Sequence, residues 1–150
     1  MQAPIQNILL IDDDYDDCIV FEQLLREVAP SIKLTCLNSC KDVLSIIERC
    51  KADLIFLDLN MPKENGFYCL KIIQESASYN RIPIIMYSSS GNTKEINIAY
   101  GLGATLYFKK PSRYFELEAS LKSILALDWC NPDVVKQQYF KEGKYHTYEL

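Results

Sequence analysis

The chain has 150 residues, 49% of them hydrophobic and 24% charged, with a formal net charge of −4. That is an ordinary globular composition, long enough for one domain with a real core, and its acidic balance excludes a protein that grips nucleic acid by the phosphates. No apolar run approaches the ~20 residues needed to span a bilayer, Met1 to Gln6 has no basic n-region and Ile8 to Ile11 is too short for a signal peptide, so neither membrane nor export is expected and the cytoplasm is the expected location.

Asn7 to Ile11 is a continuous apolar run of the buried-strand kind. Ile19, Phe21, Leu24, Leu25 and Val28 then recur at helical spacing, and Pro30 stops that helix. Ile32 to Leu37 reads as a second strand. Ser39 is the expected N-cap of a helix carrying Val43, Leu44, Ile46 and Ile47. Leu54 to Leu57 is a third strand and Phe67 to Glu75 a third helix. Ile84 to Tyr87, Thr93 to Leu102, Thr105 to Phe108 and Tyr114 to Leu125 follow as strand, helix, strand and helix. Five apolar strands alternating with helices predict an α/β fold, a doubly wound five-stranded parallel sheet covered on both faces. Ligands of such sheets bind at the carboxyl ends of the strands.

Residues 127–150 read as a C-terminal extension. Asn131 can cap a helix begun by Pro132 and Asp133, and Gly143 can end it. Val135 and Tyr139 share one face of that helix, and Phe140, Tyr145 and Tyr148 make the segment aromatic. Docking on its own domain and contact with a partner both satisfy this pattern. The 24 residues after Ala126 are too few for a helix-turn-helix domain, so no DNA-binding output domain is expected.

Cys18, Cys36, Cys40, Cys50, Cys69 and Cys130 form no C-x-x-C pair, and buried thiols in a reducing compartment are expected. The only histidine, His146, stands in the tail, which argues against a His-rich metal site and against Ser-His-Asp or Cys-His catalysis.

The chemistry gathers at the strand ends. The first strand ends in Asp12-Asp13-Asp14, the third in Asp58-Leu59-Asn60-Met61-Pro62, the fourth in Ser88-Ser89-Ser90 and the fifth in Lys109-Lys110-Pro111. In a parallel sheet all four sets lie along one edge. Converging carboxylates repel one another, and a divalent cation such as Mg²⁺ relieves that. A hydroxyl and an ammonium opposite suit a phosphoryl group, whose transfer needs mainly positioning and charge neutralisation. An aspartate can serve as the nucleophile, forming an acyl phosphate.

This constellation resembles the receiver domain of response regulators, in the stand-alone chemotaxis-regulator form. The resemblance covers Asn7 to Ala126 and rests on Ile11-Asp12-Asp13, Asp58-Leu59-Asn60-Met61-Pro62, Gly66, Ser88-Ser89, Tyr107 and Lys110-Pro111. It implies a receiver domain over 1–126 with flavodoxin-like strand order 2-1-3-4-5 and five helices. It implies that Asp58 is the phosphoacceptor. Asp13, Asp58 and the Asn60 backbone carbonyl would bind Mg²⁺ directly, and Asp12 through water. Ser88 would hydrogen-bond the phosphoryl group, Lys110 would pair with it, and Tyr107 would be the rotamer switch. The implied role is that of a two-component phosphoacceptor switch, not an enzyme proper, although it can assist its own phosphorylation and dephosphorylation. Its implied partners are a sensor histidine kinase or phosphotransfer protein and an unidentified downstream protein; a homodimer stays open.

Blander readings stand beside these. Asp14 and Asp16 are better read as helix-capping acids. Lys110 is chosen over Lys109 because the family lysine directly precedes proline. Tyr107 alone could be strand packing. Ser88 to Thr93 is similar to a flavodoxin phosphate loop, but it follows the wrong strand. A haloacid-dehalogenase-like phosphohydrolase needs a general-acid Asp where Asn60 stands. A non-phosphorylated pseudo-receiver, serving only as a binding module, is the remaining alternative.

Overall fold

In chain order the elements are β1 (Asn7–Ile11), α1 (Tyr15–Val28), β2 (Lys33–Leu37), α2 (Val43–Cys50), β3 (Leu54–Leu57), β4 (Asn60–Met61), β5 (Glu64–Asn65), α3 (Gly66–Glu75), β6 (Ile84–Ser88), α4 (Thr93–Gly101), β7 (Leu106–Lys109), α5 (Tyr114–Leu125), α6 (Pro132–Gln138), β8 (Phe140–Lys141) and β9 (Lys144–Tyr145). They come from a computed structural model that describes residues 5–150. Met1 to Pro4, part of the stretch whose lack of basic charge bears on export, lie outside the described residues.

The main sheet has the order β2-β1-β3-β6-β7, all parallel. Counted over these five strands, that is the expected 2-1-3-4-5. Side chains alternate between two cores, as a period of two requires. Leu9, Ile11, Ile55, Leu57, Met86 and Tyr107 face α2, α3 and α4. Ile8, Leu10, Leu54, Phe56, Tyr87 and Phe108 face α1 and α5. Every residue of β3 and β6 is buried, which explains why these strands read as unbroken apolar runs.

Several local expectations are corrected. Ser39 does not cap α2: its Oγ accepts from the Lys41 amide inside a turn, and the residue before the helix is Asp42, with φ of 58° and no side-chain cap bond. Asn131 stands at the N-cap of α6, yet its amide donates to Asp128 Oδ2 at 2.7 Å instead of capping. Gly143 does not end that helix. With Glu142 it forms the positive-φ turn between β8 and β9, a two-residue connection that suits the twist of a hairpin. Nor are all six cysteines buried thiols. Cys36 and Cys130 are exposed, and Cys40 is disulfide-bonded to Cys69. The packing of α3 beside the loop that enters α2 brings those two Cα atoms to 5.6 Å, a normal disulfide span.

The tail is docked on its own domain. Trp129 is buried with its indole N–H on the Ile124 carbonyl at 2.8 Å, and Val135 and Tyr148 join the α1–α5 core. Among the described residues no helix is long and apolar enough to cross a membrane.

One glycine sets the shape of the loop after β3. A Cβ on Gly66 would lie 2.3 Å from the Asp58 carbonyl oxygen and 2.7 Å from the Leu59 Cα. Both are backbone atoms, so the loop would have to shift. Gly66→Ala should therefore cost about 1–3 kcal/mol in urea denaturation. Gly101→Ala, where nothing lies within 4 Å of an added Cβ, should be neutral or stabilising.

Candidate functional site

The carboxyl ends of β1, β3, β6 and β7 bring Asp12, Asp58, Ser88 and Lys110 to one edge. Asp12, Asp58 and Ser88 are buried there, at 1%, 4% and 0% exposure, while Asp13 is exposed. One carboxylate oxygen from each of Asp12, Asp13 and Asp58 falls within 4.8 Å of the others. Oxygens bound to a single Mg²⁺ at about 2.1 Å lie at most about 4.2 Å apart. Within 4.8 Å of one another, the three acids are close enough to share one ion, not all of them by direct contact. A cleft of about 480 Å³ lined by Asp13, Asn38, Ser39, Lys41 and Met61 to Glu64 opens beside the cluster on the Asp13 side.

Asp14 stays out of this cluster. It is exposed and caps α1, accepting from the amides of Asp16 and Asp17. Asp16 is not itself a cap; it lies in the first helical turn. The two lysines are likewise separated. Lys109 runs over Gly91, whereas Lys110 Nζ reaches Asp12 Oδ2 and Asp17 Oδ2, each at 2.8 Å, and lies 3.7 Å from Asp58 Oδ2. Nζ also sits 5.0 Å from the centre of the buried Tyr87 ring. Burial works against the Lys110 charge. The hydrogen bonds to Asp12 and Asp17 and the charges of Asp12 and Asp58 outweigh it and hold the ammonium above its ordinary pKa.

Three participants were not legible beforehand. Asp17 has the look of an ordinary first-turn helix acid, and only the tertiary fold puts it on Lys110. The resemblance implies a role for the Asn60 backbone carbonyl alone, yet its side-chain amide donates to Ser90 Oγ at 2.8 Å and Ser88 Oγ at 3.3 Å. Ser90 Oγ donates in turn to Glu95 Oε2 on α4 at 3.1 Å. The spacing of Asn92 and Glu95, a capping pair, was the one available signal for that acid. Tyr107 is fully buried, and its hydroxyl donates to the Ser90 carbonyl at 2.9 Å.

Asp58 is the carboxyl most affected by these surroundings. Burial raises its pKa to about 6, Lys110 opposes that rise, and Asp12 adds to it. The folded carboxyl thus keeps its proton to higher pH than the unfolded one. Between about pH 4 and pH 6 the folded state binds more protons, so this group's contribution to stability falls as pH rises through that window. Asp58→Asn should raise the stability of the metal-free protein by about 1–2 kcal/mol at neutral pH. Thermal melts of the two proteins should converge as pH falls toward 4.

A family model described as the response regulator receiver domain matches residues 8–122. The two-component response regulator ARR3 of Arabidopsis thaliana is 32% identical over 133 residues, covering 81% of this chain and 56% of its own length. The cyclic di-GMP phosphodiesterase response regulator RpfG of Xanthomonas campestris is 28% identical over 121 residues, which cover 81% of this chain and 32% of RpfG. The chain therefore spans about half or less of these curated relatives. Among solved structures, the phosphorylated cyanobacterial phytochrome response regulator RcpA superposes with a TM-score of 0.73 at 25% identity, covering 81% of this chain and 91% of that one. The chemotaxis response regulator CheY4 of Vibrio cholerae shares the fold, with a TM-score of 0.68 at 21% identity over 80% of this chain and 98% of its own. With its sheet order, its strand-end acids and a family model matching most of its length, the chain belongs to the response regulator receiver domain family of two-component signalling.

Proposed function

We propose that Asp58 is a Mg²⁺-dependent phosphoacceptor whose modification switches a protein contact. The observation that carries this reading is the convergence of Asp58 with two further acids, an ammonium and a buried hydroxyl at one sheet edge. An Asp58 carboxylate oxygen attacks the phosphorus of a phosphohistidine on a sensor histidine kinase or phosphotransfer protein. A P–O bond forms as the P–N bond breaks, and an acyl phosphate results. Asp13, Asp58 and the Asn60 carbonyl would hold the ion, with Asp12 acting through water. Bound there, Mg²⁺ would neutralise charge on the phosphoryl oxygens. Lys110 supplies the opposing positive charge. Ser88 donates its hydroxyl to a phosphoryl oxygen once it leaves its present partners, Asn60 and Ser90.

The same residues favour a switch over an enzyme proper. Among the described residues no histidine reaches this edge, and the position two after Asp58 holds Asn60, whose amide is far too weak an acid to protonate a leaving group. Output then passes through the face made by α4, β7 and α5, because Ser90 and Tyr107 link the acceptor to that face. The receiver domain over 1–126 carries both the acceptor and that face, and the extension over 127–150 is the unit docked beside them.

Incubation with a small phosphodonor, read by intact mass, tests the reading. Wild type should gain one phosphoryl group with Mg²⁺ and none without it, and Asp58→Asn should gain none. A chain that gains nothing in the presence of metal would be a binding module only. Lys110→Ala should separate the two ions: Mg²⁺ affinity stays at or above the wild-type value, since a competing positive charge is gone. Phosphorylation-dependent partner binding should fall sharply in the same variant, as measured by titration with a captured partner.

A further inference from the structure

β7 is an edge strand of the sheet, but its outer side is not open. The Tyr107 N–H donates to the Tyr100 hydroxyl at 3.0 Å, and the Tyr107 carbonyl accepts from the Tyr148 N–H at 2.7 Å. The Tyr100 hydroxyl donates onward to the His146 carbonyl at 2.9 Å. One buried hydroxyl from α4 and one amide from the tail thus satisfy both main-chain groups of Tyr107. The Tyr145 ring stacks on Tyr100, with centroids 4.4 Å apart and planes 13° from parallel. Lys136 fastens the same corner, donating to the Tyr100 carbonyl at 3.0 Å and lying 5.5 Å from the Tyr145 ring centre.

On its inner side Tyr107 meets the candidate site. Its hydroxyl holds the Ser90 carbonyl, the Ser90 amide donates to Ser88 Oγ at 3.3 Å, and the two serine hydroxyls lie 3.1 Å apart. The tail and Tyr100 thus hold the backbone of the same residue whose ring reaches the site.

We propose that Tyr100 and the tail from Tyr145 to Tyr148 form a positioning clamp on Tyr107. The clamp holds the ring inward and so prepares Ser88 for a phosphoryl group on Asp58. This rests on the phosphoacceptor reading of Asp58. With the ring held, residues 88–90 are already ordered when Ser88 turns toward the phosphoryl oxygen, and binding has less freedom left to remove. Linkage then requires the reverse effect: a phosphoryl group at Asp58 must tighten the tail.

The test uses the full chain, Mg²⁺, and beryllofluoride as the phosphoryl mimic. Tyr100→Phe keeps the ring on Tyr145 but removes the hydroxyl that joins the Tyr107 N–H to the His146 carbonyl. Its beryllofluoride affinity should fall by about fivefold or more, with Mg²⁺ affinity unchanged. Tyr145→Ala removes the stack and touches neither edge bond, and it should split the two affinities in the same way. In wild type, saturating beryllofluoride should slow amide exchange at His146 and Tyr148. A tail that only adds stability would lower the melting temperature and leave both affinities alone. Equal beryllofluoride affinity in wild type and both variants, or faster exchange at Tyr148 on binding, would overturn the clamp. A wild-type chain that binds no beryllofluoride with Mg²⁺ would instead overturn the phosphoacceptor reading, and the clamp with it.

Discussion

Asp12 and Asp58 are buried carboxylates that share one ammonium, that of Lys110. Taking such charges out of water costs several kcal/mol each, and one lysine cannot offset two buried acids with Asp13 and Asp17 also close by. The imbalance is visible in Asp58, pushed to about 6 by its burial. A flexible loop would relax by exposing these groups. Here they follow strands buried on both faces, β1 and β3, so the strain stays in place. The apolar sheet is thus what keeps the acids together despite their repulsion.

The charge cluster is tied to distant parts of the molecule through α4. At one end of that helix Glu95 accepts from Ser90, which is bonded to Asn60 in the loop after Asp58. At the other end Tyr100 holds the tail and the outer edge of β7. Tyr107 lies between the two, with its side chain toward Ser90 and its backbone toward the tail. Ser88 and Ser90 are both paired within this set of hydrogen bonds, which runs without a break from Asn60 to α4 and to Tyr107; such a set is a physical route by which the proposed switch could reach the tail.

What could be read beforehand follows from how each signal arises. The strands were legible because burial on both faces leaves only apolar residues, and the helices because one stripe recurs every three or four positions. The acids, the hydroxyl and the lysine were legible because parallel topology sends every strand end to one edge. Short-range features were less so. The β4–β5 hairpin pairs two residues per strand, too few for any periodicity. Ser39 and Gly143 carry the right chemistry for a cap and a helix end, but here each sits in a turn. The Cys40–Cys69 bond depends on how α3 packs beside the loop that enters α2, which no spacing encodes. Nothing in the sequence sets Asp17 apart from a solvated acid or Tyr100 from a core aromatic; only the fold supplies their partners.

Hydrogen bonding also bears on how the three acids would divide the work of holding a cation. Both Asp12 oxygens are engaged, Oδ1 by the Asp14 amide at 3.0 Å and Oδ2 by Lys110 at 2.8 Å. Asp58 accepts a long bond from the Asn60 amide at 3.3 Å and lies 3.7 Å from Lys110 Nζ, and Asp13 is exposed. Direct ligation by Asp13 and Asp58 therefore breaks little, whereas direct ligation by Asp12 would compete with the Asp14 amide at Oδ1 or with Lys110 at Oδ2. That favours Asp12 acting through water. A cation placed this way still draws on the Asp12 charge and weakens its hold on the ammonium. Lys110 needs to move little to approach the phosphoryl position, since it already lies 3.7 Å from Asp58. Metal binding in that arrangement would loosen the hold of Asp12 on Lys110 through the same electrostatics.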